Sequence, residues 1–206
     1  MKRKTEILNL FSGLGGNRKF WENCNVTSVE IDSKIANTYK LNFPHDEIII
    51  SNAYIYLINN YEKFDFIWAS PPCQTHTKMI KSGRNRKPIY QDFRLYEIIF
   101  FLQNYYKGKW IVENIKPFYK PLIEPTKELN RHLIWSNFDI PDFEFKNIKN
   151  FINKGNSEGA NEMKKWLGID YPGNIYYKNN HDPAQVLRNC LHPKIGEHIY
   201  KSANFY

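Results

Sequence analysis

A chain of 206 residues with 42% hydrophobic and 24% charged residues can bury one substantial core, and its composition is neither fibrous nor disordered. Cys24, Cys73 and Cys190 are odd in number, widely spaced and without a Cys-x-x-Cys pair, which excludes a disulfide framework and a zinc site and points to a reducing compartment. The net charge of +8, with a pI near 9.2, favours a polyanionic partner, although an AT-rich genome would inflate lysine in the same way.

Met1 to Glu6 lead into a short apolar strand rather than a signal peptide, and no apolar run is long enough to span a bilayer. A cytoplasmic protein with no membrane partner is therefore expected. Residues 7–11, Ile-Leu-Asn-Leu-Phe, read as a buried strand, and Ser12-Gly13-Leu14-Gly15-Gly16 as a tight turn. A helical stretch through Phe20 and Trp21 is expected next, followed by a second strand over 26–30 that ends in Glu30. Glycines let the backbone approach a ligand and an acid after the second strand bonds ribose hydroxyls, so this order suggests an adenosine-containing cofactor.

The alternation continues with a helix over 36–41, a short strand over 47–50 and an apolar strand over 64–70. Pro71 and Pro72 end that strand, because neither can donate to a sheet ladder and each fixes φ near about −65°. Cys73 follows at the strand's carboxyl end, where open α/β sheets bind ligands. Taken alone it reads equally well as a small buried hydrophobe. Lys78, Lys81, Arg84, Arg86 and Lys87 crowd the next loop and suit a phosphate backbone. A helix over 91–106, with Leu95, Ile98, Ile99 and Leu102 on one face, anchors that loop through residues 91–94. Strands over 110–115 and 132–135 come next. Strands alternating with helices define an α/β protein with a doubly wound, mostly parallel sheet. Residues 139–160 are the least regular, with a flexible turn over 154–159. Helices over 162–167 and 193–201 close the chain.

Four features stand in one order: Phe11-Ser12-Gly13-Leu14-Gly15-Gly16, Glu30, Pro72-Cys73-Gln74 and Glu113-Asn114-Ile115. This series resembles the C5-cytosine-specific DNA methyltransferases, with their Phe-x-Gly-x-Gly-Gly, acid, Pro-Cys-Gln and Glu-Asn-Val motifs. Residues 185–193 resemble the family's closing motif, in which an asparagine, here Asn189, begins the last helix and completes the cofactor pocket. Residues 163–172 resemble the short helix and loop before it. Spanning nearly the whole chain, the resemblance implies one catalytic domain over 1–206 with the Rossmann-like class I fold of S-adenosylmethionine-dependent methyltransferases.

The resemblance also implies roles. S-adenosylmethionine would be held by Phe11, Ser12, Gly13, Gly15 and Gly16, by Glu30 and Ile31, by Asn52 and Ala53, and by Pro71 and Asn189, with no metal. Cys73 would add to carbon 6 of cytosine and Glu113 would bond the ring near N3. Asn114 would orient the cysteine loop. Pro72, Gln74, Lys81, Arg84 and Arg86 would hold DNA, with the target cytosine flipped out of the duplex.

Several positions depart from the family pattern. Its Gln-x-Arg-x-Arg becomes Glu128-Leu129-Asn130-Arg131-His132, which leaves Arg131 or His132 to hold the base, His132 being equally readable as structural. Asn52 replaces an aspartate at the adenine, Arg188 replaces a glycine, and Thr75-His76-Thr77 replaces a small-aromatic-Ser run. Ser70-Pro71-Pro72 also resembles the amino-group methyltransferases, which use an aromatic where Cys73 stands and form no adduct. Cys73 with Glu113-Asn114 favours the C5 reading. Transfer RNA or a free nucleotide is an alternative carrier, and a catalytically silent nucleic-acid-binding homologue is the rival class. Finally, the family's target-recognition region is reduced here to residues 139–160. A very short or relaxed site, or specificity supplied by a partner subunit, is expected.

Overall fold

The computed structural model describes residues 3–78, 89–145, 156–176 and 181–204. Lys81, Arg84, Arg86 and Lys87 therefore lie outside the described residues, as does most of the middle of 139–160. Seven strands among the described residues form one sheet: β1 (Thr5–Leu10), β2 (Cys24–Glu30), β3 (Glu47–Ile50), β4 (Phe66–Ala69), β5 (Lys109–Ile115), β6 (Lys127–Leu129) and β7 (His132–Ser136), in the order β3-β2-β1-β4-β5-β7-β6. The first five run parallel, whereas β7 is antiparallel to both β5 and β6. The sheet is thus mostly parallel, as expected. Its order reverses between β1 and β4, and the crevice beyond their carboxyl ends is where an open α/β sheet holds its ligand.

Period-two alternation sorts the strand residues onto two faces. Leu8, Leu10, Ile67, Ala69 and Val112 enter one hydrophobic cluster, and Ile7, Phe66, Trp68 and Ile111 the other. Helices α1 (Ser33–Asn42), α2 (Ala53–Asn60), α3 (Arg94–Tyr105), α4 (Ser157–Leu167), α5 (Gln185–Arg188) and α6 (Pro193–Ser202) accompany the sheet. The expected face of α3 is buried: Leu95, Ile98, Ile99 and Leu102.

Three expectations need correction. The stretch after the glycine turn, residues 17–21, forms no helix. Gly15 N donates to Ser12 O at 2.9 Å, Arg18 N to Gly15 O at 3.0 Å and Trp21 N to Arg18 O at 3.0 Å, a run of separate turns. Positive φ at Phe11 (56°), Gly13 (54°) and Gly15 (78°) shapes the turn before this stretch. Residues 157–159 are not a turn but the first turn of α4, where Asn156 Oδ1 accepts from Gly159 N at 2.9 Å. Helix α2 has no counterpart in the sequence reading. Its exposed Ile55 and Ile58 blur the apolar periodicity, and Asn52 Oδ1 starts it by accepting from Tyr54 N at 2.9 Å.

Candidate active site

On the β1–β2 side the glycine turn is shaped by backbone bonds. Ser12 N donates to Val29 O at 3.1 Å. Glu30 Oε2 accepts from Gly13 N at 3.0 Å, and Glu30 Oε1 accepts from Ile31 N at 2.9 Å and Asp32 N at 3.0 Å. Burial raises the Glu30 pKa above the ordinary carboxylate value, and these three N–H groups only partly oppose it. The glycines have distinct reasons. A Cβ at Gly15 would fall 2.3 Å from Phe43, and one at Gly16 would fall 2.4 Å from Leu191 O, so both are required by packing. A Cβ at Gly13 would meet nothing within 4 Å, so this backbone borders open space. Next to it Ser12 Oγ is buried without a hydrogen-bond partner. Phe11 meets Tyr54 edge-on at 5.1 Å, and the Ile31 side chain is 68% exposed beside Glu30. Asn52 spends its carbonyl oxygen on the α2 cap, which leaves its amide N–H groups for a ligand. Ala53 is buried behind it.

Beneath the turn runs a buried polar chain that sequence reasoning missed. Asn17 Nδ2 donates to Asn9 Oδ1 (2.9 Å), Asn9 Nδ2 to Ser28 Oγ (3.4 Å), Ser28 Oγ to Tyr39 OH (2.7 Å) and Tyr39 OH to Asp46 Oδ2 (2.6 Å). Arg18 closes the chain with bonds of 2.8 and 2.9 Å to the two Asp46 oxygens. Its signal in the sequence was a polar residue inside each apolar strand, Asn9 in β1 and Ser28 in β2. Buried polar groups of this kind are kept only when paired, and here the pairing fixes the turn to β1, β2 and α1.

On the β4–β5 side, Ser70 N donates to Leu10 O at 3.3 Å, and Asn114 Nδ2 holds Pro71 O at 2.9 Å. Asn114 thereby orients the cysteine loop from the end of β5. Past Cys73 the chain turns sharply, with His76 N and Thr77 N both donating to Cys73 O, at 2.9 and 3.1 Å. Antiparallel pairing sets Glu113 opposite Ile134, so His132 lies on the same face as Glu113, diagonally across from it. His132 Nδ1 bonds Glu113 Oε1, and Arg131 Nε donates to His132 Nε2 at 3.3 Å. A guanidinium can only donate, so Nε2 accepts and the ring proton sits on Nδ1, facing Glu113. Arg131 and His132, alternatives in the sequence reading, are thus bonded in series to Glu113.

The electrostatics follow from this cluster. Burial would raise the Glu113 pKa, but His132, the Ser70 hydroxyl and Arg131 outweigh it and hold the carboxyl below its ordinary value. Burial pushes the Cys73 thiol up to about 11. The Glu113 charge adds to that shift, and Arg131 opposes it.

The loop after Cys73 is tied at its base. Asp92 N donates to Thr75 Oγ1 at 2.9 Å, and Asp92 O lies 3.1 Å from His76 Nε2, whose Nδ1 meets Tyr119 OH. Asp92 thus ties the chain just before α3 to Thr75 and His76, and the basic loop that residues 91–94 are expected to anchor lies mostly outside the described residues. Burial lowers the pKa of His76, which favours the neutral ring. Pro71 is buried, Pro72 half-buried and Gln74 exposed. Asn189 does not begin the last helix. It is exposed at the end of α5, where Gln185 Nε2 donates to it at 3.1 Å. Pro193, with no N–H to satisfy, starts α6, and His192 caps it. The neighbours Cys190 and Leu191 do close on Gly16. Among the described residues no group of His, Cys, Asp or Glu could hold a metal, and no helix is long and apolar enough to cross a membrane.

A mostly parallel sheet of this order, with one reversed strand, a glycine turn after β1 and an acid at the end of β2, is the class I methyltransferase fold. The family model of C-5 cytosine-specific DNA methylases matches residues 5–121, more than half of the chain, and the chain belongs to that family. It is similar to the tRNA (cytosine(38)-C(5))-methyltransferase of Homo sapiens, 30% identical over 84 residues, which are 37% of this chain and 22% of that protein. The enzyme of the same name from Bos taurus is 29% identical over 119 residues, covering 54% of this chain and 30% of its own. The chain thus spans less than a third of the length of either relative. A solved structure of a mutant of Spodoptera frugiperda DNMT2 overlays 56% of this chain and 37% of its own at 26% identity, with a TM-score of 0.40. S-adenosylmethionine is the family's cofactor. The open backbone at Gly13, the unpartnered Ser12 hydroxyl and the Glu30 carboxylate fit a ligand with ribose hydroxyls and a polar amino-acid end.

Proposed function

We propose that this chain transfers a methyl group from S-adenosylmethionine to carbon 5 of cytosine in DNA, through a temporary bond between Cys73 Sγ and carbon 6. The observation that carries this reading is the grouping of Cys73, just past β4, with Glu113 near the carboxyl end of β5 and Arg131 and His132 at the start of β7. Carbon 5 is a weak nucleophile. The Cys73 thiol proton passes to the Glu113 carboxylate and on to N3. When Sγ bonds carbon 6, the ring's electrons therefore shift to carbon 5 without leaving a net negative charge, and the N3 proton returns when the ring is restored. Arg131 favours the thiolate that must attack, and His132 holds the Glu113 carboxylate in place. The cofactor, when bound, supplies an electrophilic methyl group. The proton on carbon 5 then leaves to a base, the Sγ–carbon 6 bond breaks, and aromaticity returns.

A base within a duplex cannot be attacked at carbon 6, so the cytosine must leave the stack. In this reading Lys81, Arg84 and Arg86 bind phosphates, while Pro72 and Gln74 line the base. The whole chain serves as one catalytic domain. Residues 139–160 are its reduced target-recognition segment, shortened further because 157–160 belong to α4. Each good bidentate base contact gives about 1–3 kcal/mol, and a segment this small can make few. The site read is therefore very short or relaxed, or a partner subunit supplies specificity. Transfer RNA is the second carrier to consider, favoured by the names of the two curated relatives.

The test is transfer of a labelled methyl group from S-adenosylmethionine by the purified chain to random-sequence duplex DNA and to unmodified transfer RNA, with product positions mapped. Labelled 5-methylcytosine in DNA is the expected result. Labelling of transfer RNA alone would move the substrate to the second carrier, and label in the exocyclic amino group would overturn the mechanism.

A further inference from the structure

Among the described residues, three buried side-chain polar atoms lack a hydrogen-bond partner: Ser12 Oγ, Tyr171 OH and Arg188 Nη1. Arg188 is the unusual one, because it carries a charge. It stands where the family resemblance leads one to expect glycine, and it ends α5 beside the catalytic cluster. Its carbonyl oxygen accepts from Arg131 Nη2 at 3.0 Å, and Arg131 in turn reaches His132 and acts on Cys73. The Arg188 side chain is only 12% exposed. Nη2 bonds Asp182 Oδ2 and lies 3.2 Å from Gln185 Oε1, while Nη1 has no acceptor. The guanidinium is thus paired through Nη2, while Nη1, itself shielded, has no acceptor although the side chain keeps some exposure. Burial also pulls its pKa below the usual value. Buried donors are almost always paired, and a guanidinium fork matches the two oxygens of a carboxylate or phosphate.

We propose that the free Nη1 edge of Arg188 binds an oxyanion of a reactant, either the amino-acid carboxylate of the cofactor or a phosphate of the target strand. This assignment rests on the methyltransferase reading and adds to it a binding residue that the family motifs lack. Calorimetry on wild type, Arg188→Gln, Arg188→Lys and Asp182→Asn separates the sources. The probes are S-adenosylhomocysteine, 5′-methylthioadenosine (which lacks the amino-acid carboxylate) and a cytosine-containing DNA duplex.

If the anion is the carboxylate, Arg188→Gln weakens S-adenosylhomocysteine binding at least about tenfold and leaves 5′-methylthioadenosine unchanged. If it is a phosphate, S-adenosylhomocysteine binding is unchanged, duplex binding weakens, and the slope of log K against log salt falls by about one. In both cases Arg188→Lys falls between wild type and Arg188→Gln. Asp182→Asn keeps the guanidinium and binds at least as well as wild type. Thermal melting checks that each variant folds, and Arg188→Lys carries the test if Arg188→Gln does not. Unchanged binding of all probes overturns the proposal, and so does an Asp182→Asn variant that loses binding as Arg188→Gln does, since that marks a structural ion pair. A wild-type chain that binds neither nucleoside nor duplex overturns the methyltransferase reading itself.

Discussion

The two walls of the crevice are built by different means. On the β1–β2 wall the backbone does the shaping: Glu30 is held by three main-chain N–H groups, and the turn rests on a buried chain from Asn17 to Asp46. On the β4–β5–β7 wall side chains shape one another, with Arg131 holding His132, His132 holding Glu113, and both charges acting on Cys73. A backbone-made wall can lose one side chain and give up mainly affinity. A wall of mutually dependent side chains loses its chemistry when one member goes.

Substitutions can break or sharpen this contrast. The largest effect is expected from Cys73→Ala, which removes the only sulfur beside Glu113 among the described residues and should abolish methyl transfer while S-adenosylhomocysteine affinity stays within about twofold, since no hydrogen bond of the cofactor wall is touched. Steady-state turnover and calorimetry on one preparation measure both, and normal turnover would sink the mechanism. Glu113→Gln keeps the shape but loses the proton-sharing carboxylate, so kcat should fall by roughly 10²–10⁴-fold. Glu30→Ala belongs to the other wall. Its cost should appear in cofactor binding, about 1.5–3 kcal/mol for charged hydrogen bonds, with kcat at saturation changed far less. If kcat collapsed in Glu30→Ala, the division between the walls would be wrong.

The smallest effect is a shift in a pH profile. With its pKa near 11, the Cys73 thiol should react with iodoacetamide at a rate that climbs about tenfold per pH unit well past pH 9. Glu113→Gln removes a negative charge and should move the profile to lower pH, whereas Arg131→Gln should move it to higher pH. Peptide mass mapping isolates Cys73 from Cys24 and Cys190. A profile that levels off near the ordinary thiol value of about 8.5 would show that burial does not act on Cys73 as described.

Much of this architecture was legible in the chain because it rests on local signals. Tandem prolines ended β4, apolar runs marked β1, β2 and β5, and Glu30 fell at the end of β2 with Glu113 two residues before the end of β5. The failures share a cause, which is dependence on partners distant in sequence. Residues 17–21 read as helical, yet Arg18 and Asn17 are committed to Asp46 and Asn9. The roles of Arg131 and His132 stayed open because strand register is set by pairing with β5 and not by residue type. Asn189 was placed at a helix start on motif resemblance, while Pro193 and His192 hold the stronger local signal.

The central claim is that Cys73 Sγ bonds carbon 6 of a cytosine, and trapping tests it most directly. A duplex carrying 5-fluorocytosine has no proton to release from carbon 5, so the adduct cannot resolve. Incubated with S-adenosylmethionine, the wild-type chain should form a complex with the duplex that survives denaturing electrophoresis and maps to Cys73 by mass spectrometry. The absence of any such complex while unmodified DNA is methylated, or an equal complex formed by Cys73→Ala, would contradict the account.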